Sequence, residues 1–284
     1  MLRDSLIIFV LAVCAVAQQH STSPSKDSLV PIFELEESER GEAVVIDPIL
    51  LLKGKQILPV PDPCEPGAAL TQFTNEYLKP GSTYAVVFGG AEAGTVSIKA
   101  PLPNSADTVV LLDSSVPIHG MTMALAVQHS IVSPPKSVRR DPTPDERKHA
   151  DEVAKVILTK KGVSASAVAR LRVDQLAVVE FAPGIPEIVV SVAVETEDEV
   201  GMEESLFFIA KTASDDATVI WYQHPQGETD AEAVYLVDFI DLDGDGVNEL
   251  VARRVFYENY RYEVYKRQGG HWKQIFQTEV FGCL

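Results

Sequence analysis

Cysteine is scarce in this chain of 284 residues: Cys14, Cys64 and Cys283 are the whole set, and none lies in a catalytic thiol motif. Basic residues are also short, with 24 Lys and Arg against 41 Asp and Glu, a net charge of −17. Such a surface repels phosphate backbones, so no nucleic-acid partner is expected. The six histidines are scattered, with no His-Glu-x-x-His zinc pattern, and no Gly-x-Ser-x-Gly nucleophile elbow occurs. Neither gives grounds for an enzyme. Beyond residue 17 there is no apolar run long enough to span a membrane.

What is present begins with an export signal. Arg3 precedes an apolar run over residues 6–16, and Ala15-Val16-Ala17 offers a small-x-small cleavage site before Gln18. Residues 1–17 read as a signal peptide cleaved near Ala17, which makes the protein secreted or periplasmic. Leu11-Ala12-Val13-Cys14 is similar to a lipoprotein box, but Val13 stands where a small residue is required, so no lipid anchor is expected. Cys14 leaves with the signal. Cys64 and Cys283 remain as a disulfide candidate that would tie the C-terminus to the first domain.

A hydrophobic fraction of 46% supports packed cores, and the length suits two domains. Residues 18–28 form a polar, flexible leader. Residues 29–132 read as a β-rich domain, with strands at 30–35, 43–46, 49–52, 56–60, 84–88, 95–99, 109–112 and 121–127. Leu70, Phe73 and Tyr77 recur at helical spacing and predict one short helix over 66–78. The glycine-rich stretch 89–94 lacks the Gly-Lys-Ser/Thr ending of a phosphate loop and is followed by a strand, so it reads as a hairpin turn. Residues 133–142 form a proline-rich linker. The helical segment 143–170 opens with Thr143, Pro144 and Glu146 as a capping box. It carries an apolar stripe of Ala150, Val153, Ala154, Ile157 and Leu158, and stops at Gly162. Ser164 caps a second, shorter helix running to Arg170.

The chemically specific stretch is Asp241-Leu242-Asp243-Gly244-Asp245-Gly246-Val247-Asn248-Glu249, with acids at relative positions 1, 3, 5 and 9. Calcium takes six to eight oxygens, and loops of alternating acids supply them. Asp241, Asp243, Asp245 and Glu249 would offer carboxylates and Val247 its backbone carbonyl. Gly244 and Gly246 let the chain curl through positive φ. An EF-hand needs an acid at position 12 and flanking helices; here position 12 is Ala252 and the flanks are β-branched and aromatic. This loop between strands resembles the FG-GAP (VCBS-like) repeats of integrin-type β-propellers, over residues 234–277. Strands at 250–257 and 260–266 and a last one with Trp272, Gln274 and Phe276 on one face complete a blade-sized unit. Tyr260, Tyr262 and Val264 share one face, and the aromatics read as core between sheets, with a carbohydrate platform as the alternative. A degenerate copy covers about 176–223: Leu176 matches Leu236, Gly184 matches Gly246 and Glu187 matches Glu249, while Phe181 replaces the first aspartate. That copy should hold no calcium. The acidic stretch 195–204 reads as a long hairpin end, mostly a solvated surface.

The fold expected is mainly β with a few helices (α+β): an N-terminal β-rich domain followed by a two-blade FG-GAP-like antiparallel module over 171–284. Two blades cannot close a propeller. The resemblance implies Ca2+ as cofactor and a binding, adhesion or structural role toward a protein or carbohydrate partner. The rival reading is a secreted polysaccharide-directed hydrolase with a structural calcium module, which would need two convergent carboxylates that no motif selects.

Overall fold

The computed structural model describes residues 28–38, 41, 43–63, 65–101, 108–114, 116, 118–128, 139–182, 184–197, 201–214, 216–227 and 230–282. The expected signal peptide, the expected linker up to residue 138, and the disulfide candidates Cys64 and Cys283 lie outside the described residues.

The first body contains β1 (Leu29–Glu37), β2 (Val44–Lys53), β3 (Gln56–Leu58), α1 (Ala68–Tyr77), β4 (Thr83–Phe88), β5 (Ala91–Pro101), β6 (Thr108–Ser114) and β7 (Ala124–Val127). Strands pair antiparallel in the order β1-β7-β4-β5-β6-β2, and β2 returns to pair with β1. Six strands therefore close into a barrel, which leaves no open edge, and β3 extends β2 beyond β6. Residues 43–46 and 49–52 belong to one strand rather than two. A bulge opposite Ile32 and Phe33 absorbs an extra residue beside Pro48, whose missing N–H cannot join the ladder. Helix α1 buries Phe73 and Tyr77 against Phe33 and Tyr84, with ring centroids 5.0–6.2 Å apart. The glycine stretch is a hairpin turn at Gly89-Gly90 between β4 and β5.

Arg139 and Arg140, placed in the linker by composition, form β8 (Arg139–Arg140). Then come α2 (Pro144–Lys160), α3 (Ala165–Val168), β9 (Leu171–Ala182), β10 (Ile185–Glu195), β11 (Met202–Lys211) and β12 (Ala217–Gln223). These strands make a sheet in the order β12-β11-β10-β9-β8. The capping box is formed: Glu146 N–H donates to the Thr143 hydroxyl and Thr143 N–H to the Glu146 carboxylate. The stripe Ala150, Val153, Ala154 and Leu158 packs on one face of the sheet. Helix α3 is a single turn capped by Ser164 and ends before Arg170. The acidic hairpin end is not wholly solvated: Glu204 is buried and contacts His224 at 2.9 Å.

The last body is a four-stranded meander of β13 (Ala233–Ile240), β14 (Glu249–Val255), β15 (Tyr260–Gln268) and β16 (His271–Gln277). One face carries Val234, Leu236, Phe239, Leu250, Ala252 and Tyr265 against the five-stranded sheet. The other carries Val237, Ile240, Val251, Tyr262 and Val264 against the barrel. The protein is thus mainly β, stacked as helices, five-stranded sheet, four-stranded sheet and barrel, and it is not a propeller. Trp272 and Phe276 do not share a face. The register passes from Val264–Phe276 to Tyr265–Gln274, so Ile275 is a bulge residue that inverts the alternation.

Between barrel and meander lies a buried polar seam. The Tyr262 hydroxyl is 2.5 Å from Glu34 and 2.7 Å from Asp47, the Tyr260 hydroxyl is 2.6 Å from Asp47, and Arg253 reaches Glu34 and Glu36. A phenol has one proton to donate, so its second carboxylate contact calls for a protonated carboxyl. Burial pushes Glu34 up to about 8, against the pull of Arg253. Burial also pushes Asp47 up to about 6, opposed by its two tyrosine hydrogen bonds. Both folded values exceed the ordinary carboxylate range, so the folded chain keeps protons that the unfolded chain has released. That stability is complete below about pH 4 and lost as pH rises through about 6 and about 8. Calorimetry should show the melting temperature falling by several degrees between about pH 5 and about pH 9, and Glu34→Gln should flatten the slope. A melting temperature that rises over that range in the unmodified protein would contradict the buried-proton account.

Candidate metal centre

The acidic loop joins β13 to β14, with Asp241 just past the end of one strand and Glu249 opening the other. Gly244 and Gly246 have φ of 71° and 85°, the left-handed values the curl requires. Asp241 organises the turn: its Oδ1 accepts from Asp245 N–H at 3.1 Å and its Oδ2 from Gly246 N–H at 2.7 Å. Asp243 Oδ1 accepts from Asp245 N–H, and Asp245 Oδ1 from Val247 N–H at 2.9 Å. Glu249 is buried, and its Oε2 accepts from Leu242 N–H at 2.8 Å. Leu242 itself is buried in the barrel's core, so the loop is fastened to the barrel by its second residue.

Of the residues expected from spacing, Asp241, Asp243 and Glu249 bring one carboxylate oxygen each to within 4.8 Å of one another. Oxygens about 2.4 Å from a common centre cannot be further apart than about 4.8 Å, which is the calcium–oxygen scale. These three could hold a metal ion. Asp245 stands outside the trio, and Val247 is exposed at the loop tip.

Spacing did not reveal Lys266. Its Nζ lies 2.8 Å from Asp243 Oδ2, 2.7 Å from Asp245 Oδ2 and 2.7 Å from Glu249 Oε1. The register that sets Leu250 against Tyr265 brings Lys266 beside Glu249, on the face where Tyr262 and Val264 meet the barrel. A lysine at the end of an inward-facing apolar row was the available signal, since such a charge needs acids nearby. Burial lowers the Lys266 pKa, but its contacts with Asp243, Asp245 and Glu249 outweigh this and leave it raised. The Lys266 hydrogen bond holds Asp245 below the ordinary carboxylate range. Burial raises Glu249, against the same lysine. Glu249 Oε1 is buried and, although close to Lys266, makes no aligned hydrogen bond.

The stretch that the sequence comparison matched to this loop has a parallel arrangement. Glu187, matched to Glu249, meets Arg267 Nη2 at 2.7 Å. The guanidinium also lies over Phe181, at 5.8 Å from the ring centroid, and over Trp272 at 5.1 Å. Phe181 is the residue that stands in place of the first aspartate.

A second buried charge sits three residues before Asp241. A bulge in β13 turns Val237 and Asp238 to the barrel. Asp238 accepts from Gly89 N–H at 3.1 and 2.8 Å and from Arg139 Nη1 at 3.4 Å. Arg139 also donates to the carbonyls of Met123 and Val237 and stacks on Phe88. Burial pushes Asp238 up to about 7, opposed chiefly by Arg139, and the same burial lowers Arg139. Gly89 has φ of 69°, and a Cβ there would fall 2.5 Å from Arg139 N.

No family model, curated protein or solved structure matches the chain.

Two outcomes follow from the clamp. Arg139→Met, which strands Asp238, should cost about 3–5 kcal/mol in urea unfolding, and adding Asp238→Asn should recover part of it. Gly89→Ala should cost at least about 2 kcal/mol from backbone strain and the clash with Arg139. Losses under about 0.5 kcal/mol for either single variant would show that the clamp is not a structural tie.

Proposed function

We propose that this is an exported, non-enzymatic protein whose β13–β16 meander is an FG-GAP-like module stabilised by calcium, serving a binding or adhesion role toward a protein or carbohydrate. The observation that carries the reading is the trio Asp241, Asp243 and Glu249, whose oxygens lie within 4.8 Å in a loop curled by two positive-φ glycines. Asp241, Asp243 and Glu249 would be the ligands. The ion would supply the positive charge that lets their carboxylates coexist between two strands. Support also comes from the repeat itself: β9–β12 and β13–β16 are both four-stranded antiparallel meanders, and the first lacks the acids while keeping the strands.

Calcium in this reading is structural. Leu242 is set in the barrel core and Glu249 begins β14, so an ion between them would strengthen the joint of barrel and meander. A partner would then dock on a surface whose geometry the ion keeps rigid. In extracellular modules such loops bind at about 10⁻⁴–10⁻³ M, in range of extracellular calcium.

With a dissociation constant of about 10⁻⁴ M, about 1 mM calcium adds roughly 1.4 kcal/mol by mass action, or about 3–5 °C in melting temperature. Asp243→Ala combined with Asp245→Ala should abolish that rise. The same calcium response in the double variant would refute the loop as the site.

A further inference from the structure

We infer that Lys266 is a built-in competitor for the metal: its ammonium holds the acidic loop when calcium is low, and calcium enters by displacing it. This rests on the calcium reading given above and adds how the site is regulated.

The lysine and an ion cannot share the cage. The ion's trio is Asp241, Asp243 and Glu249, and the lysine's is Asp243, Asp245 and Glu249. Asp243 and Glu249 belong to both sets. Three carboxylates lie at 2.7–2.8 Å from Lys266 Nζ, and Asp241 is not among them. Asp241 is instead turned to backbone N–H groups on both oxygens.

Charge sets the direction of the exchange. Asp241, Asp243, Asp245 and Glu249 carry four negative charges and Lys266 one positive, so the closed cage keeps −4 + 1 = −3. A divalent ion in the lysine's place leaves −4 + 2 = −2, with the ammonium free to stay nearby in water. Divalent charge is therefore favoured once its concentration offsets the cost of stripping water from it. A separate observation points to a ligand in this place: Glu249 is 1% exposed, and its Oε1, 2.7 Å from Lys266 Nζ, makes no aligned hydrogen bond. The lysine fills the charge requirement of that oxygen and leaves its directional requirement unmet. Lys266 can withdraw because its flexible stem starts on β15 and its side chain is 14% exposed, so water is within reach of the ammonium.

The matched position shows the alternative outcome in the same chain. Glu187 faces Arg267, whose guanidinium is stacked over Phe181 and Trp272. With the aspartates gone, that cation is held by rings as well as by charge and has no ion to yield to. Consecutive residues of β15 thus serve the two glutamates, a fixed guanidinium toward one sheet and an exchangeable ammonium toward the barrel.

The test is calcium titration of the full mature chain by calorimetry, comparing wild type, Lys266→Met and Lys266→Arg. Lys266→Met should bind calcium about ten-fold more tightly, the factor expected for losing one charge-assisted competitor. Lys266→Arg, which keeps a cation, should stay near wild type. Nitrogen NMR of the lysine ammonium groups in the wild-type protein gives a readout that needs no variant: the Lys266 signal, protected by its carboxylates, should move to the exposed position as calcium is added. Equal affinity in wild type and Lys266→Met, or an unmoved Lys266 signal in calcium-loaded protein, overturns the exchange while leaving calcium binding intact. Binding in Lys266→Met alone supports the lysine as occupant and overturns calcium as the wild-type ligand. Binding in neither overturns both.

Discussion

Three strands of the four-stranded meander, β13 to β15, are covered on both faces, and that constraint shapes the rest of the molecule. The barrel covers one side and the five-stranded sheet the other. A charge on β13, β14 or β15 is consequently removed from water and must meet a partner in a medium where attraction and desolvation are both large. Arg253 faces Glu34 and Glu36 on the barrel side, while Arg254 faces Glu232 and Glu263 on the other and stacks on Trp221. Asp238 is met by Gly89 and Arg139, and Lys266 by the loop acids. The Arg253 and Asp238 contacts join two layers and fix how the layers dock, while apolar area supplies most of the attraction between them.

Where a buried site holds more acid than base, something further must balance it, and the molecule uses different means at different places. In the seam the excess falls on Glu34 and Asp47, and the answer is retained protons beside tyrosine hydroxyls. At Asp238 the answer is a guanidinium and a backbone N–H delivered by a turn whose glycine permits the approach. At the acidic loop a single ammonium faces more carboxylates than it can neutralise. Protons suit the deep, dry seam; the loop is nearer to water, where ions can come and go.

What the sequence made legible was local. The capping box of α2, the glycine-permitted curl of the acid loop and the Gly89-Gly90 turn depend on residues a few positions apart, and all three are present. Closure of the barrel was not legible, because it depends on β1 meeting β7 across most of the first body. The face of Trp272 was misread because one bulge residue, Ile275, shifts a period-two pattern and leaves no mark in composition. Arg139 looked like linker charge because its partner Asp238 lies about a hundred residues on. For the same reason the acid loop showed in the sequence while Lys266, brought to it by strand register, did not.

The two meanders make the clearest case for reading the loop through its neighbours. Glu187 and Glu249 occupy matched positions near or at the start of β10 and β14, and both are buried. A buried carboxylate left alone costs several kcal/mol, roughly the stability margin of a domain, so losing the surrounding acids could not leave Glu187 without a cation. Arg267 and the ring of Phe181 supply that cation in a form that cannot leave. In the second meander the aspartates remain, and among the described residues no ring stacks on Lys266. A side-chain cation there is outnumbered by its carboxylates and tethered by a flexible stem. The difference between a fixed and an exchangeable cation thus comes down to what stands at the end of each meander's first strand or just past it, the ring of Phe181 in one and Asp241 in the other.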